Sequence, residues 1–322
     1  MTPAQLAELR RALPPFPVAA ETVPGMAEFC GFYALQFATT GSQVQHSVGT
    51  ITSGPWRLAT HLWQRPGARG NLLLVHGLFD HTGLYGKLIA YGLSRGFNVL
   101  MFDLPGHGLS TGEPALIKDF SAYGRVIAGV LGQVSLPELP RWVMTQSTGG
   151  AALVEFARSY PWPFEAAVLL APLVRPASWG KVQAGYMLLR PFTESVRRTF
   201  NRNSSDTDFL AFIKADPLQP TATPVRWIGA LRRWLKHLPR GDLGVGPALV
   251  VQGDADGTVD WRYNINIIIS LFPGSRVEYV AGAGHQLANE SEALRETYLA
   301  RVDDYLASRG LGSTVRGKDQ TH

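Results

Sequence analysis

Trp142-Val143-Met144-Thr145-Gln146-Ser147-Thr148-Gly149-Gly150-Ala151-Ala152 is an apolar run leading straight into a series of small residues, with a serine at the junction. It reads as a buried strand turning sharply into a helix, the geometry that lifts a serine oxygen above a sheet. In such a turn the amide of the next residue, Thr148, points to where an oxyanion forms, and Gly149 and Gly150 let the helix approach the sheet closely.

A serine is a weak nucleophile by itself, so this turn demands a base, and a carboxylate to orient the base, further along the chain. Asp254, Asp256 and Asp260 cluster in LVVQGDADGTVD (249–260), just beyond an apolar run. His285 lies in GAGHQL (282–287), a glycine-rich loop after the next apolar run. Loops at the carboxyl ends of neighbouring parallel strands meet at one edge, so the three can converge there. The expected roles are Ser147 as nucleophile, His285 as general base and acid, and Asp256 as the carboxylate holding the imidazole. Val75-His76-Gly77-Leu78-Phe79-Asp80-His81 follows another apolar run, and the Leu78 amide is the candidate second oxyanion donor. With no third ligand in view, His76 and His81 are read as loop-ordering residues, and no metal is expected.

Working outward, Leu72–Val75, Phe97–Phe102, Ala166–Leu170 and Ala248–Val251 are short, aliphatic and non-alternating, as strands buried on both faces should be. Helix-length patterns at Leu84–Leu93, Phe120–Leu131 and Thr148–Tyr160 separate them. The fold class is therefore α/β, a mostly parallel central sheet flanked by helices. Val44–Ile51 and Trp56–Trp63 alternate around Ser53-Gly54-Pro55 and predict a hairpin. Residues 173–246 interrupt the rhythm and read as an inserted helical cap. The catalytic domain is expected at 41–172 and 247–309, with helix Trp261–Phe272, strand Arg276–Val280 and helix Ala293–Leu306 closing it. Residues 1–40 read as a helical N-terminal extension and 310–322 as a polar, disordered tail.

The 322 residues are 45% hydrophobic and 17% charged, enough for a sizeable core, which excludes a disulfide miniprotein. The single cysteine, Cys30, allows no internal disulfide and reads as a buried thiol. The charge of +5 is scattered without a nucleic-acid motif, so no nucleic-acid partner is expected. Nothing resembles a secretory signal or a membrane span, which places the expected location in the cytoplasm.

The chain resembles an α/β-hydrolase of the monoacylglycerol lipase and lysophospholipase group, often classed with serine aminopeptidases. The resemblance rests on VHGLFDHTGLY (75–85), FDLPGHGLSTGEP (102–114), TQSTGG (145–150), LVVQGDADGTVD (249–260) and AGAGHQLANE (281–290). It implies an α/β-hydrolase fold, selects Asp256 over Asp254 and Asp260, and supports Leu78 and Thr148 as oxyanion amides. There are departures. Thr145 replaces the first glycine of the serine motif, which predicts altered packing there. Gln146 stands where the lipases often have histidine, and Asp260-Trp261 replaces the more usual proline.

In Val225–Arg240, apolar Trp227, Ile228, Leu231, Trp234, Leu235 and Leu238 recur at helical spacing, while Arg226, Arg232, Arg233, Lys236 and Arg240 are basic. Packing on the catalytic domain is the commoner fate of such a face. The functional alternative is a lid in which Trp227 and Leu231, with Met187 on a facing apolar run (Val182 to Phe192), line an acyl pocket and contact a membrane surface. The expected activity is cofactor-free hydrolysis of monoacylglycerol-like or lysophospholipid-like esters, with peripheral contact at the inner membrane surface. Amide or peptide hydrolysis is the runner-up within the enzyme class. A non-catalytic ligand-binding protein on the same fold is the competing class, and loss of a triad member would have been its signature.

Overall fold

The middle of the sheet is built from strands whose side chains are buried on both faces. In the computed structural model, which describes residues 1–39 and 42–312, the strands in chain order are β1 (Val18–Ala19), β2 (Ala38–Thr39), β3 (Ser42–Gln43), β4 (Gln45–Ser53), β5 (Trp56–Gln64), β6 (Gly70–Val75), β7 (Phe97–Phe102), β8 (Arg141–Gln146), β9 (Ala166–Leu170), β10 (Ser195–Arg197), β11 (Ala222–Pro224), β12 (Leu249–Gly253) and β13 (Arg276–Val280). Nine form one sheet in the order β1-β4-β5-β7-β6-β8-β9-β12-β13. The β4–β5 hairpin pairs Ser53 with Trp56 across Gly54-Pro55, and β5 joins β7 antiparallel. From β7 to β13 every pairing is parallel, so the carboxyl ends of six strands share one edge.

The helices are α1 (Pro3–Ala12), α2 (Met26–Phe32), α3 (Gly86–Ser94), α4 (Ser121–Gln133), α5 (Thr148–Ser159), α6 (Trp179–Leu189), α7 (Thr207–Ala215), α8 (Val225–His237), α9 (Trp261–Leu271) and α10 (Glu292–Ser308). Strand period 2 divides the core in two. Leu72 and Leu74 face a cluster with Phe29 of α2, Leu88 of α3 and Val302 of α10. Leu73 and Val75 face the other cluster, with Val126 of α4, Leu153 of α5 and Ile268 of α9. This three-layer arrangement, with its mostly parallel sheet, is the α/β-hydrolase fold.

Residues 173–246, between β9 and β12, hold α6, the β10–β11 pair, α7 and α8. The expected tail begins too early, because Leu311 is buried and Arg69 donates to the carbonyls of Leu311 and Gly312. The rest of that stretch, 313–322, lies outside the described residues. Cys30 is buried, and burial pushes its thiol up to about 11. No helix among the described residues is long and apolar enough to cross a membrane.

Candidate active site

Ser147 sits between the end of β8 and the first residue of α5 with φ 51° and ψ −112°, a conformation non-glycine residues adopt only under constraint. The constraint is visible on both sides. The Ser147 amide donates to the Leu170 carbonyl (2.9 Å), and its carbonyl accepts from Leu173 (3.0 Å). Only glycine fits at 149, where a Cβ would overlap the Val75 carbonyl of the neighbouring strand.

Asp256 lies in the loop after β12 and His285 in the loop after β13. The His285 Nδ1 donates to Asp256 Oδ2 at 2.8 Å, which leaves Nε2 to accept from the Ser147 hydroxyl at 2.9 Å. All three residues are buried. Asp256 also accepts from the amides of Thr258 (2.8 Å) and Val259 (3.2 Å) and from Gln252 Nε2 (3.0 Å). Burial alone would raise its carboxyl, but the facing His285 and these donors outweigh it and hold the group below the ordinary carboxylate value. It therefore stays charged beside the imidazole.

The loop that carries Leu78 lies against the turn that carries Thr148. A Cβ at Gly77 would stand 3.3 Å from the Ser147 Cβ, so the loop after β6 lies directly against the serine. The Thr148 amide opens α5, where helix geometry supplies no intrahelical acceptor. Among the described residues, neither the Thr148 nor the Leu78 amide donates to a protein acceptor.

Several glutamines that the sequence left without a role hold these loops together. Gln146 donates to the His285 carbonyl (2.8 Å) and accepts from the Ala288 amide (3.3 Å), tying the strand before the serine to the loop bearing the histidine. Gln286 donates to Asp80 (2.7 Å), whose other oxygen accepts from the Tyr85 hydroxyl (3.0 Å), and that hydroxyl accepts from the Gly77 amide (3.2 Å). The loops of His285 and Leu78 are thus linked through one buried carboxyl group. No signal in the sequence marks these residues beyond their adjacency to the motifs.

His76 accepts from the Leu104 amide (2.9 Å), and His81 donates to Asp216 (2.8 Å) and accepts from Gly83 (3.1 Å). Both order loops. Thr145 is buried, and its hydroxyl finds no partner among the described residues. Asp260 caps α9 and pairs with Arg175 (2.7 Å), away from the imidazole.

The structure places two of the expected acyl-lining residues on the face of α8 that packs on the catalytic core. Trp227 donates to the Tyr123 hydroxyl (3.2 Å) and packs on Phe120, and Leu231 is fully buried in the same cluster, so α8 is stapled to α4 and α5. This is the commoner fate of such a face: a bulky apolar surface with an indole N–H finds a partner in the catalytic core. Met187, on α6, is half exposed rather than part of a closed wall.

A profile of the serine aminopeptidase S33 family of hydrolases matches residues 66–292. The chain belongs to that family. Its S33 match spans the strands from β6 to β13 and the inserted segment. The chain is 28% identical over 270 residues to mouse monoglyceride lipase, covering 77% of this chain and 86% of that protein. It is 27% identical over 235 residues to a monoacylglycerol lipase of Mycolicibacterium smegmatis, covering 67% and 80%. The crystal structure of a soluble variant of monoglyceride lipase from Saccharomyces cerevisiae, bound to a substrate analogue, superposes with a TM-score of 0.68 at 18% identity, over 85% of this chain and 96% of that one. The last likeness is one of fold.

Proposed function

We propose that this S33-family member is a serine hydrolase of lipid carboxylic esters. The observation that carries the reading is the unbroken hydrogen-bond chain Ser147–His285–Asp256 beside two amides without a protein acceptor. Ser147 attacks the ester carbonyl as His285 takes its proton, and the Leu78 and Thr148 amides receive the oxyanion. His285 then protonates the leaving alcohol, and water, activated by the same imidazole, releases the acid. Asp256 keeps the productive tautomer and stabilises the imidazolium. The relatives named as monoglyceride and monoacylglycerol lipases favour ester over amide substrates.

The inserted segment 173–246 acts in this reading as a cap over the site. Its α6 carries no buried residue, and Leu188 (68% exposed) and Phe192 (82%) stand out beside Arg190 and Arg232. An exposed apolar ridge flanked by cations suits a lipid interface with anionic headgroups, the peripheral contact expected at the inner membrane surface.

The test is reaction with a fluorophosphonate, read by intact mass, followed by a p-nitrophenyl ester chain-length series. The expected result is a single adduct and turnover of medium or long esters. Ser147→Ala is expected to lose the adduct and to lower kcat by about 10³–10⁶-fold with its fold retained. An adduct on both proteins, or on neither, overturns the assignment.

A further inference from the structure

A cavity of about 310 Å³ opens beside the three loops that carry the candidate chemistry. Phe79, next to Leu78, forms one wall; Thr258, whose amide donates to Asp256, forms another; and Asn203, whose carbonyl accepts from the Gln286 amide (2.8 Å), forms a third. Arg198 and Lys214 also line it, and among the described residues no carboxylate does.

Arg198 is held in a way that prepares it for an anion. Its guanidinium lies 4.0 Å from the centre of the Phe79 ring and 4.5 Å from that of Phe200, which fixes its plane between two aromatic side chains. Only Nη1 is engaged, donating to Gln219 Oε1 (2.6 Å) and the Pro220 carbonyl (3.5 Å), and Arg198 joins no salt bridge among the described residues. Asp80 and Asp216 act on it at a distance, and neither bonds to it among the described residues. Asp216 is engaged elsewhere, accepting from His81 Nε2 (2.8 Å), the Tyr33 hydroxyl (2.7 Å) and Gln219 Nε2 (3.2 Å). At Asp80, burial outweighs the donors and pushes the carboxyl above its ordinary value, toward the neutral form. Burial lowers the Arg198 guanidinium to about 10, still positive at neutral pH.

We propose that this cavity binds an anionic group of the substrate, a phosphate or carboxylate, through Arg198 with Lys214 at its side, so that the enzyme favours anionic lipid esters over neutral ones. The inference rests on the serine-hydrolase reading and deepens it by naming the substrate class. A planar fork with two free donor nitrogens matches either oxyanion, and the pocket walls supply amide and hydroxyl groups for the remaining oxygens. The anion sits on the alcohol side of the ester or at the far end of the acyl chain.

The experiment compares kcat/KM at fixed ionic strength within two substrate pairs: a 1-monoacylglycerol against its 3-phosphate, and a p-nitrophenyl alkanoate against its ω-carboxylated counterpart. Wild type is expected to favour the anion in one pair, which identifies the side. Arg198→Gln is expected to lower that pair's anion-to-neutral ratio by about 10–100-fold, and Arg198→Lys to recover part of it. Preference for the neutral member in both pairs, or an unchanged ratio in Arg198→Gln, overturns the proposal. Calorimetry on Ser147→Ala, with glycerol 3-phosphate and glycerol as probes, tests the site without turnover. Binding of the phosphate alone, lost in Ser147→Ala/Arg198→Gln, supports it even if the nucleophile assignment fails, and equal binding of the two probes overturns it.

Discussion

α6 and α8 belong to the same inserted segment and touch each other, yet they satisfy their apolar residues in opposite ways. α8 turns Trp227, Leu231 and Trp234 into the core, with both indole N–H groups bonded, to Tyr123 and to Glu155. α6 has no buried residue; Tyr186 lies against Gly229 of α8, while Met187, Leu188 and Leu189 face outward. Apolar residues at helical spacing therefore specify a helix that needs a partner, without specifying whether the partner is protein. The distinction comes from the facing surface: α4 and α5 offer α8 aromatic rings and hydrogen-bond acceptors.

The sharpest way to break this comparison is to unpin α8. Trp234→Ala removes a buried indole stacked on Phe120 (4.9 Å between rings) and leaves the Glu155 carboxyl without that donor. A loss of about 3–5 kcal/mol in unfolding free energy is expected from denaturant titration. A loss below about 1 kcal/mol would place α8 with α6, as a loosely held cover.

The second test uses acid, because the sheet side of the molecule holds buried neutral histidines and the inserted segment holds only His237. Burial lowers His46, His61, His76 and His107 from the ordinary 6.5 to about 3. The unfolded chain binds protons at these positions between those values and the folded chain does not, so their contribution is present above pH 6.5 and lost as pH falls. His81 has the opposite sign: raised by Asp216, it contributes below pH 6.5 and loses that contribution as pH rises. The four lowered histidines predict a net fall in stability from pH 6.5 toward 4, a range in which His81 adds no opposing slope, each neutral histidine contributing up to about 1.4 kcal/mol per pH unit. Denaturant midpoints across that range measure it, and a flat profile contradicts the histidine balance.

The smallest structural effect is expected from Leu188→Ser, within about 0.5 kcal/mol of wild type, because the side chain stands in solvent. Its effect belongs to the interface. Turnover of a lipid ester in anionic vesicles is expected to fall several-fold relative to a monomeric soluble ester, and an unchanged ratio would leave α6 without its proposed role.

Much of the fold was legible because strands buried on both faces must be continuously apolar, and each such run from Leu72 to Val251 became a strand of the sheet. The order serine, aspartate, histidine was legible for a related reason. A parallel sheet delivers its carboxyl-end loops to one edge, so positions 138 residues apart, as for Ser147 and His285, can be expected to meet. The packing of Trp227 and Leu231 on the catalytic core was not legible because periodicity gives a helix a face but no address. The clamps Gln146, Gln252 and Gln286 were silent because glutamine is an ordinary polar residue until its partner is known.

By itself, then, the sequence determined the alternation of strand and helix, the strained serine turn and the residues able to complete its chemistry, all of which follow from local pattern and chain order. Tertiary structure alone decided which apolar helix face found protein and which found solvent. It also decided which of many scattered arginines acquired a setting: Arg198 carries the same charge as the others in the sequence, and only the fold lays it between Phe79 and Phe200, beside the candidate site, with no carboxylate ion-paired to it among the described residues. Charge is a property of the residue, but its use depends on what surrounds it, and those surroundings are assembled from parts of the chain more than a hundred residues apart.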